Sequence, residues 1–130
     1  MAQKEIEVIL TRQLASYLAT PTLIVDPLGT LLFYNEPAEG ILGLRFEEAG
    51  ELPVDEWTAM IAPSDAQGVP LAPEARPLMI AVTERRPTHD EMWIQGLDQV
   101  RRHIEVTAFP LIGQAGRHLG AVAIFWEVKN

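Results

Sequence analysis

Cysteine is missing from this chain altogether. Its absence removes disulfides, thiolate nucleophiles, iron–sulfur clusters and cysteine-based zinc sites together, and agrees with a reducing compartment. No apolar run approaches the ~20 residues of a membrane-spanning helix. The opening Met1-Ala2-Gln3-Lys4-Glu5 carries no leader pattern. A cytoplasmic location with no membrane association is therefore expected. Basic residues are scarce: 10 Lys and Arg stand against 18 Asp and Glu, a net charge of −8. Phosphate backbones repel such a surface unless its cations cluster. The pairs Arg85-Arg86 and Arg101-Arg102 are too short to form a groove. They read as solvated helix and strand ends, and no nucleic-acid partner is expected.

Catalytic signatures are missing as well. Ser16 and Ser64 lack a Gly-x-Ser-x-Gly context. Gly113, Gly116 and Gly120 connect strands rather than open a helix, so they do not form a phosphate loop. No enzymatic activity is expected. What is present is the composition of one globular domain, 130 residues with 48% apolar and 22% charged side chains. A chain of this length buries roughly two-thirds of its unfolded surface.

Residues Lys4 to Ala19 read as an amphipathic helix, because Ile6, Ile9, Leu10, Leu14, Tyr17 and Leu18 recur at three- and four-residue steps. Thr20-Pro21 ends it, since a residue before proline disfavours the helical region. That division sets residues 1–20 apart as a capping or dimerisation helix and leaves 21–130 as the domain proper. Thr22 to Asn35 then reads strand, turn, strand. Leu23–Val25 and Leu31–Tyr34 flank Asp26-Pro27-Leu28-Gly29, where Pro27 pre-sets φ and Gly29 accepts a positive one. Glu36 to Leu42 follows as a short helix ending at Gly43.

Leu44 to Pro73 is irregular, with short helical turns expected at Phe46–Ala49 and Val54–Met60, anchored by Trp57, Met60 and Ile61. Glu74 to Arg86 reads as the longest internal helix, with Leu78, Met79, Val82 and Ala75 inward. Three strands close the chain. Thr88–Gln95 turns at Gly96-Leu97-Asp98-Gln99 into Arg101–Phe109, which Pro110 is expected to end. Leu119–Val128 is almost continuously apolar, so both of its faces are covered and it sits mid-sheet. Strands, then helices, then strands make an α+β fold with an antiparallel sheet.

These stretches, in this order, resemble the PAS (Per-Arnt-Sim) sensory domains of bacterial signal transduction over essentially Leu18 to Val128. The resemblance rests on Val25-Asp26-Pro27-Leu28-Gly29 followed by Phe33-Tyr34-Asn35-Glu36-Pro37-Ala38, on Leu42-Gly43, and on Gly68-Val69-Pro70-Leu71 with Arg76-Pro77-Leu78. Val106 to Leu111, Gly116 and Gly120-Ala121-Val122 complete it. Two departures stand out. Asp98-Gln99 replaces the subgroup's usual Asp-Gly, and Glu127-Val128-Lys129 replaces the closing Asp-x-Thr that leads to an effector.

The resemblance implies a five-stranded antiparallel sheet in order 2-1-5-4-3, short helices over one face, and a sensory or signal-relay role. It also implies either a separate histidine kinase or regulator of a two-component type as partner, or membership in a longer protein. Flavin photochemistry and coumarate attachment in this family both need a cysteine, so neither cofactor is expected here. Heme is not expected either, because Glu74–Arg86 contains no histidine.

Two sites follow. A small-ligand cavity between sheet and helices would be lined by Met79, Val82, Met92, Ile94, Ile104, Val106, Ala121, Ala123 and Phe125. Small Ala121 and Ala123 leave room, although large neighbours can equally fill it. On the outer sheet face Val122, Ile124 and Trp126, with Trp93 and Phe109, form an apolar patch larger than monomers usually expose. The helix bearing Ile6, Ile9, Leu10, Leu14 and Tyr17 is its natural cover, in its own subunit or across a homodimer. The runner-up reading is a constitutive interaction module with a filled core. His89-Asp90-Glu91 reads as a strand edge rather than a metal site. His103 and Glu105 share a strand face and form an acid–base pair only if that face lines a cleft.

Overall fold

The computed structural model describes residues 5–128, so Lys4 of the expected first helix and Lys129 of the closing Glu127-Val128-Lys129 lie outside the described residues. The chain runs α1 (Ile6–Tyr17), β1 (Thr22–Val25), β2 (Leu31–Tyr34), α2 (Glu36–Leu42), α3 (Phe46–Ala49), α4 (Val54–Ile61), α5 (Pro77–Glu84), β3 (Thr88–Gln95), β4 (Arg101–Ile112) and β5 (His118–Glu127). All neighbouring strands are antiparallel, in the order β2-β1-β5-β4-β3.

Local chemistry accounts for the first hairpin. The Asp26 Oδ1 accepts from Leu28 N at 2.9 Å and Thr30 N at 3.0 Å, and Gly29 turns the chain at φ 87°. Asn35 then caps α2, accepting from Ala38 N at 3.3 Å, and Gly43 ends the helix in the left-handed region. β5 occupies the centre that its unbroken apolarity demanded. Leu23 pairs with Ala123 and Ile24 with Val122 on one side, while Val106 pairs with Phe125 on the other. At Gly120 (φ 130°) the Val25 carbonyl lies against the place a Cβ would take, so β1 approaches β5 only because that residue is glycine.

Two expectations are corrected. Glu74–Arg86 is not one helix. Pro73–Ala75 is a single 3₁₀ turn, Arg76 is extended (φ −92°, ψ 127°), and α5 starts at Pro77. The cause is Pro77 itself, which pushes the preceding residue out of the helical region. Ala75 is exposed as a result. Pro110 does not end its strand either, since β4 continues to Ile112 with Pro110 opposite Ala121. β3 stops pairing at Ala108, so at Pro110 only β5 is a neighbour, and proline is tolerated at such an edge.

The core has two parts. The larger lies between the inner face (Leu23, Ile94, Ile104, Val106, Ala123, Phe125) and helices α2, α4 and α5, which contribute Ala38, Leu42, Trp57, Ile61, Leu78 and Val82. Met60 is half-buried at its margin. The smaller lies on the outer face, where Val8 and Ala15 of α1 meet Ile24, Leu32, Leu119 and Val122.

Candidate functional site

The inner core leaves a void of about 40 Å³ whose surface is apolar. Seven of the expected cavity residues line it: Met79, Met92, Ile94, Ile104, Val106, Ala123 and Phe125. Val82 and Ala121 do not, although both are buried in the same core. α4 and the segment after it supply walls that periodicity alone does not reveal, namely Trp57, Thr58, Ile61, Pro63 and Arg76. Trp57 is fixed by its Nε1, which donates to Gly29 O at 2.8 Å. Sites for drug-sized ligands occupy ~300–1,000 Å³. This void has room for about one water, and apolar voids of that kind stay dry.

The outer face is organised differently. α1 packs on its own sheet, but not by the residues whose spacing is most regular. Ile6, Ile9, Leu10, Leu14 and Tyr17 are all exposed, from 45% for Ile9 to 84% for Tyr17. Val8 and Ala15, with Thr11 between them half-buried, form the buried stripe instead. Val122 lies beneath that stripe and is 2% exposed, so it is not available to a partner. Ile124 is half-buried, whereas Trp126 (37%) and Phe109 (38%) remain open.

Asn35 explains the helix's orientation. Its Nδ2 donates to Ala15 O at 2.9 Å and Thr20 O at 3.0 Å, and its Oδ1 accepts from Thr22 N at 3.0 Å. One buried amide thus ties the end of α1 to the start of β1 and to the cap of α2. The bond to the Ala15 carbonyl holds the Ala15 side of the helix against the sheet. Arg117 adds an ion pair to Glu5 at 2.6 Å, and that carboxylate holds its guanidinium above the usual range.

The remaining polar candidates sit on the open part of the outer face. Glu91 and Glu105 are directly opposite each other on β3 and β4. His89 approaches Glu105 at 3.6 Å and His103 approaches Glu91 at 3.7 Å, so His103 and Glu105 each face the neighbouring strand rather than one another. Trp93 stacks flat on His103 with ring centroids 4.0 Å apart. Among the described residues no group of three His, Asp or Glu has a metal-binding arrangement. At the β3–β4 turn Gln99 takes φ 66° in the glycine's stead. Asp98 is held below the usual carboxylate range, first by its hydrogen bond from Arg102 and next by that from Val100 N.

Comparison with known proteins agrees with this geometry. A family model described as the PAS fold matches residues 17–130. Among solved structures, the PAS domain of Bordetella pertussis BvgS is similar with a TM-score of 0.63 at 14% identity, covering 95% of this chain and 87% of that one. The PAS domain of nitrogen regulation protein NR(II) from Vibrio parahaemolyticus gives 0.64 at 21% identity, covering 92% and 98%. The Rhodobacter sphaeroides LOV protein gives 0.73 at 11% identity, covering 97% and 70%. A search of curated protein sequences returns no match.

Proposed function

The chain belongs to the PAS fold family, and from that premise we propose that it is a sensory domain that relays its state by protein–protein contact, as a homodimer formed across the exposed face of α1. The observation that carries this reading is the doubled apolar character of α1. One stripe, Val8 and Ala15, is already spent on the sheet. A second stripe, Ile6, Ile9, Leu10, Leu14 and Tyr17, is exposed and stays uncovered among the described residues. Single exposed apolar residues are ordinary, but five large ones in a row on one helix are the mark of an interface. A second copy fits because a two-fold contact is self-complementary and needs only one such patch.

Asn35 supports the relay. Any shift of β1 or α2 pulls on Ala15 and Thr20 through the same amide, so the inner core and the dimer helix do not move independently. Trp126 and Phe109 extend the open surface, which a separate kinase or regulator would use. The size of the inner void supports a second reading, a constitutive dimerisation module with no ligand in the core.

Light scattering on the intact chain at micromolar concentration tests the proposal. A dimer mass is expected, and Leu14→Glu combined with Leu10→Glu should reduce it to the monomer mass without loss of helical circular dichroism. A monomer mass for the unsubstituted chain overturns the reading.

A further inference from the structure

The open part of the outer face is aromatic and acidic at once. Trp126, Glu105 and Glu91 stand in one row across β5, β4 and β3. His89 closes one flank of the row, its ring 5.9 Å from that of Trp126, and the stacked Trp93 and His103 close the other. Phe109 and Ile124 carry the apolar surface on toward α1. We propose that this surface docks a segment of a partner protein that presents arginine or lysine beside large aliphatic side chains. The proposal rests on the relay reading above and names the chemistry of its partner.

Charge decides the occupant. Glu91 and Glu105 are directly opposite each other, and like charges so placed destabilise a sheet. Among the described residues neither carboxylate accepts a hydrogen bond or pairs with Lys or Arg. Each has only a histidine near it, His103 at 3.7 Å from Glu91 and His89 at 3.6 Å from Glu105, and an imidazole is cationic only when protonated. A cation brought by a partner relieves the repulsion that the isolated chain retains. The net charge of −8 draws such a partner in and keeps phosphate backbones away.

The aromatic groups sharpen the choice. Trp126 is 37% exposed and pairs across the sheet with Glu105, and an indole face attracts a guanidinium or ammonium group. The fold already makes this contact once, since the Arg101 guanidinium lies 5.5 Å from the centroid of the Trp93 ring. Among the described residues Trp126 has no such cation, so the docking surface opens at its end of the row. Trp126 and Phe109 together also offer apolar area that a bare polyamine would leave wet, which selects a protein segment with aliphatic side chains next to its cations.

The probe is the peptide acetyl-Leu-Ser-Arg-Ser-Leu-Ser-Arg-amide, whose extended form sets leucine and arginine on one side. It is titrated into the full chain at pH 8 and followed by ¹⁵N indole NMR. The three tryptophans report separately. Trp126 and Trp93 should shift saturably, with a dissociation constant on the order of 0.1–1 mM. Trp57, which is buried and donates to Gly29 O, should stay in place. The same peptide with citrulline for arginine, and spermidine, should each bind about tenfold more weakly or worse. Glu105→Gln should weaken the arginine peptide about fivefold, and that variant keeps its fold because it removes one of two opposed charges. Citrulline peptide or spermidine binding as tightly as the arginine peptide overturns the proposal. So does unchanged affinity in Glu105→Gln, a shift at Trp57 in place of Trp126, or the absence of saturable shifts. Light scattering reads the mass separately: a monomer that still takes the arginine peptide overturns only the dimer, and a dimer that ignores it overturns only this docking surface.

Discussion

The inner face of the sheet meets helices α2, α4 and α5 and leaves a void of about 40 Å³, while the outer face meets α1 alone and leaves Trp126 and Phe109 open. The same strands build both faces, since β5 alternates Ala121, Ala123 and Phe125 inward with Val122, Ile124 and Trp126 outward. The contrast lies in the covering elements. The inner helices bury their large side chains. α1 buries small ones and keeps its large ones outside, because small residues let its backbone come close enough for Asn35 to reach the Ala15 carbonyl. Apolar periodicity therefore reports that a helix has a sticky face, and the tertiary tie decides which face is used first.

The largest effect should come from the inner side. Phe125→Ala opens a cavity in the inner core and is expected to cost about 3–5 kcal/mol by urea denaturation. A loss near 1 kcal/mol would mean that this core is loosely packed and able to collapse, which would erase the contrast.

Asn35→Ala attacks the link between the faces. It leaves the buried N–H groups of Thr22 and Ala38 without their acceptor and takes one of two donors from the carbonyls of Ala15 and Thr20, which keep Leu18 N and the Thr22 hydroxyl, and about 3 kcal/mol is expected. Hydrogen exchange should then rise in α1 and α2 together. Exchange rising in only one of them would show that the faces are not coupled through this amide.

Within α1 the comparison sharpens further. Val8→Ala removes buried methyl groups and should cost about 1.5 kcal/mol. Leu14→Ala, at 60% exposure, should change monomer stability by less than ~0.5 kcal/mol while raising the dimer dissociation constant. Unfolding must be followed at several protein concentrations, because dimerisation adds stability by mass action.

Tyr34 gives a smaller, pH-dependent effect. Burial first, then Glu39 and Glu48, push its phenol from 10.0 up to about 12. The fold thus favours the protonated phenol, whose hydroxyl donates to Leu44 O at 2.7 Å. That contribution is complete below pH 10 and is lost as pH rises toward 12. Tyr34→Phe should cost about 1 kcal/mol at neutral pH and flatten the alkaline decline in stability.

Much of the fold was legible because its signals are local. Asp26, Pro27 and Gly29 encode a turn by their own dihedral and hydrogen-bonding preferences, Asn35 and Gly43 bracket α2, and the unbroken apolarity of Leu119–Val128 places a strand between two covered faces. One failure is local, since Pro77 cuts Glu74–Arg86 by holding Arg76 extended; the others involve neighbours distant in sequence. Pro110 is harmless because β3 has already stopped pairing at Ala108. Thr58, Pro63 and Arg76 line the void through contacts across the fold, and nothing in their own spacing marks them. The same holds for Arg101, which reads as a solvated strand end until the carbonyls of Asp65 and Ala66 are found beside it.

By itself the sequence determined the order of elements, the central strand, the hairpin and the exclusion of cysteine chemistry. Dihedral preference, capping and hydrophobic pattern act over a few residues, so they can be read in order. Tertiary structure alone decided which stripe of α1 is buried, how little space the core leaves, and that Arg76 and Arg101 line one cleft with Asp55. Those outcomes depend on close packing and on hydrogen bonds between segments tens of residues apart, such as Arg101 to Asp65, and no local preference specifies them.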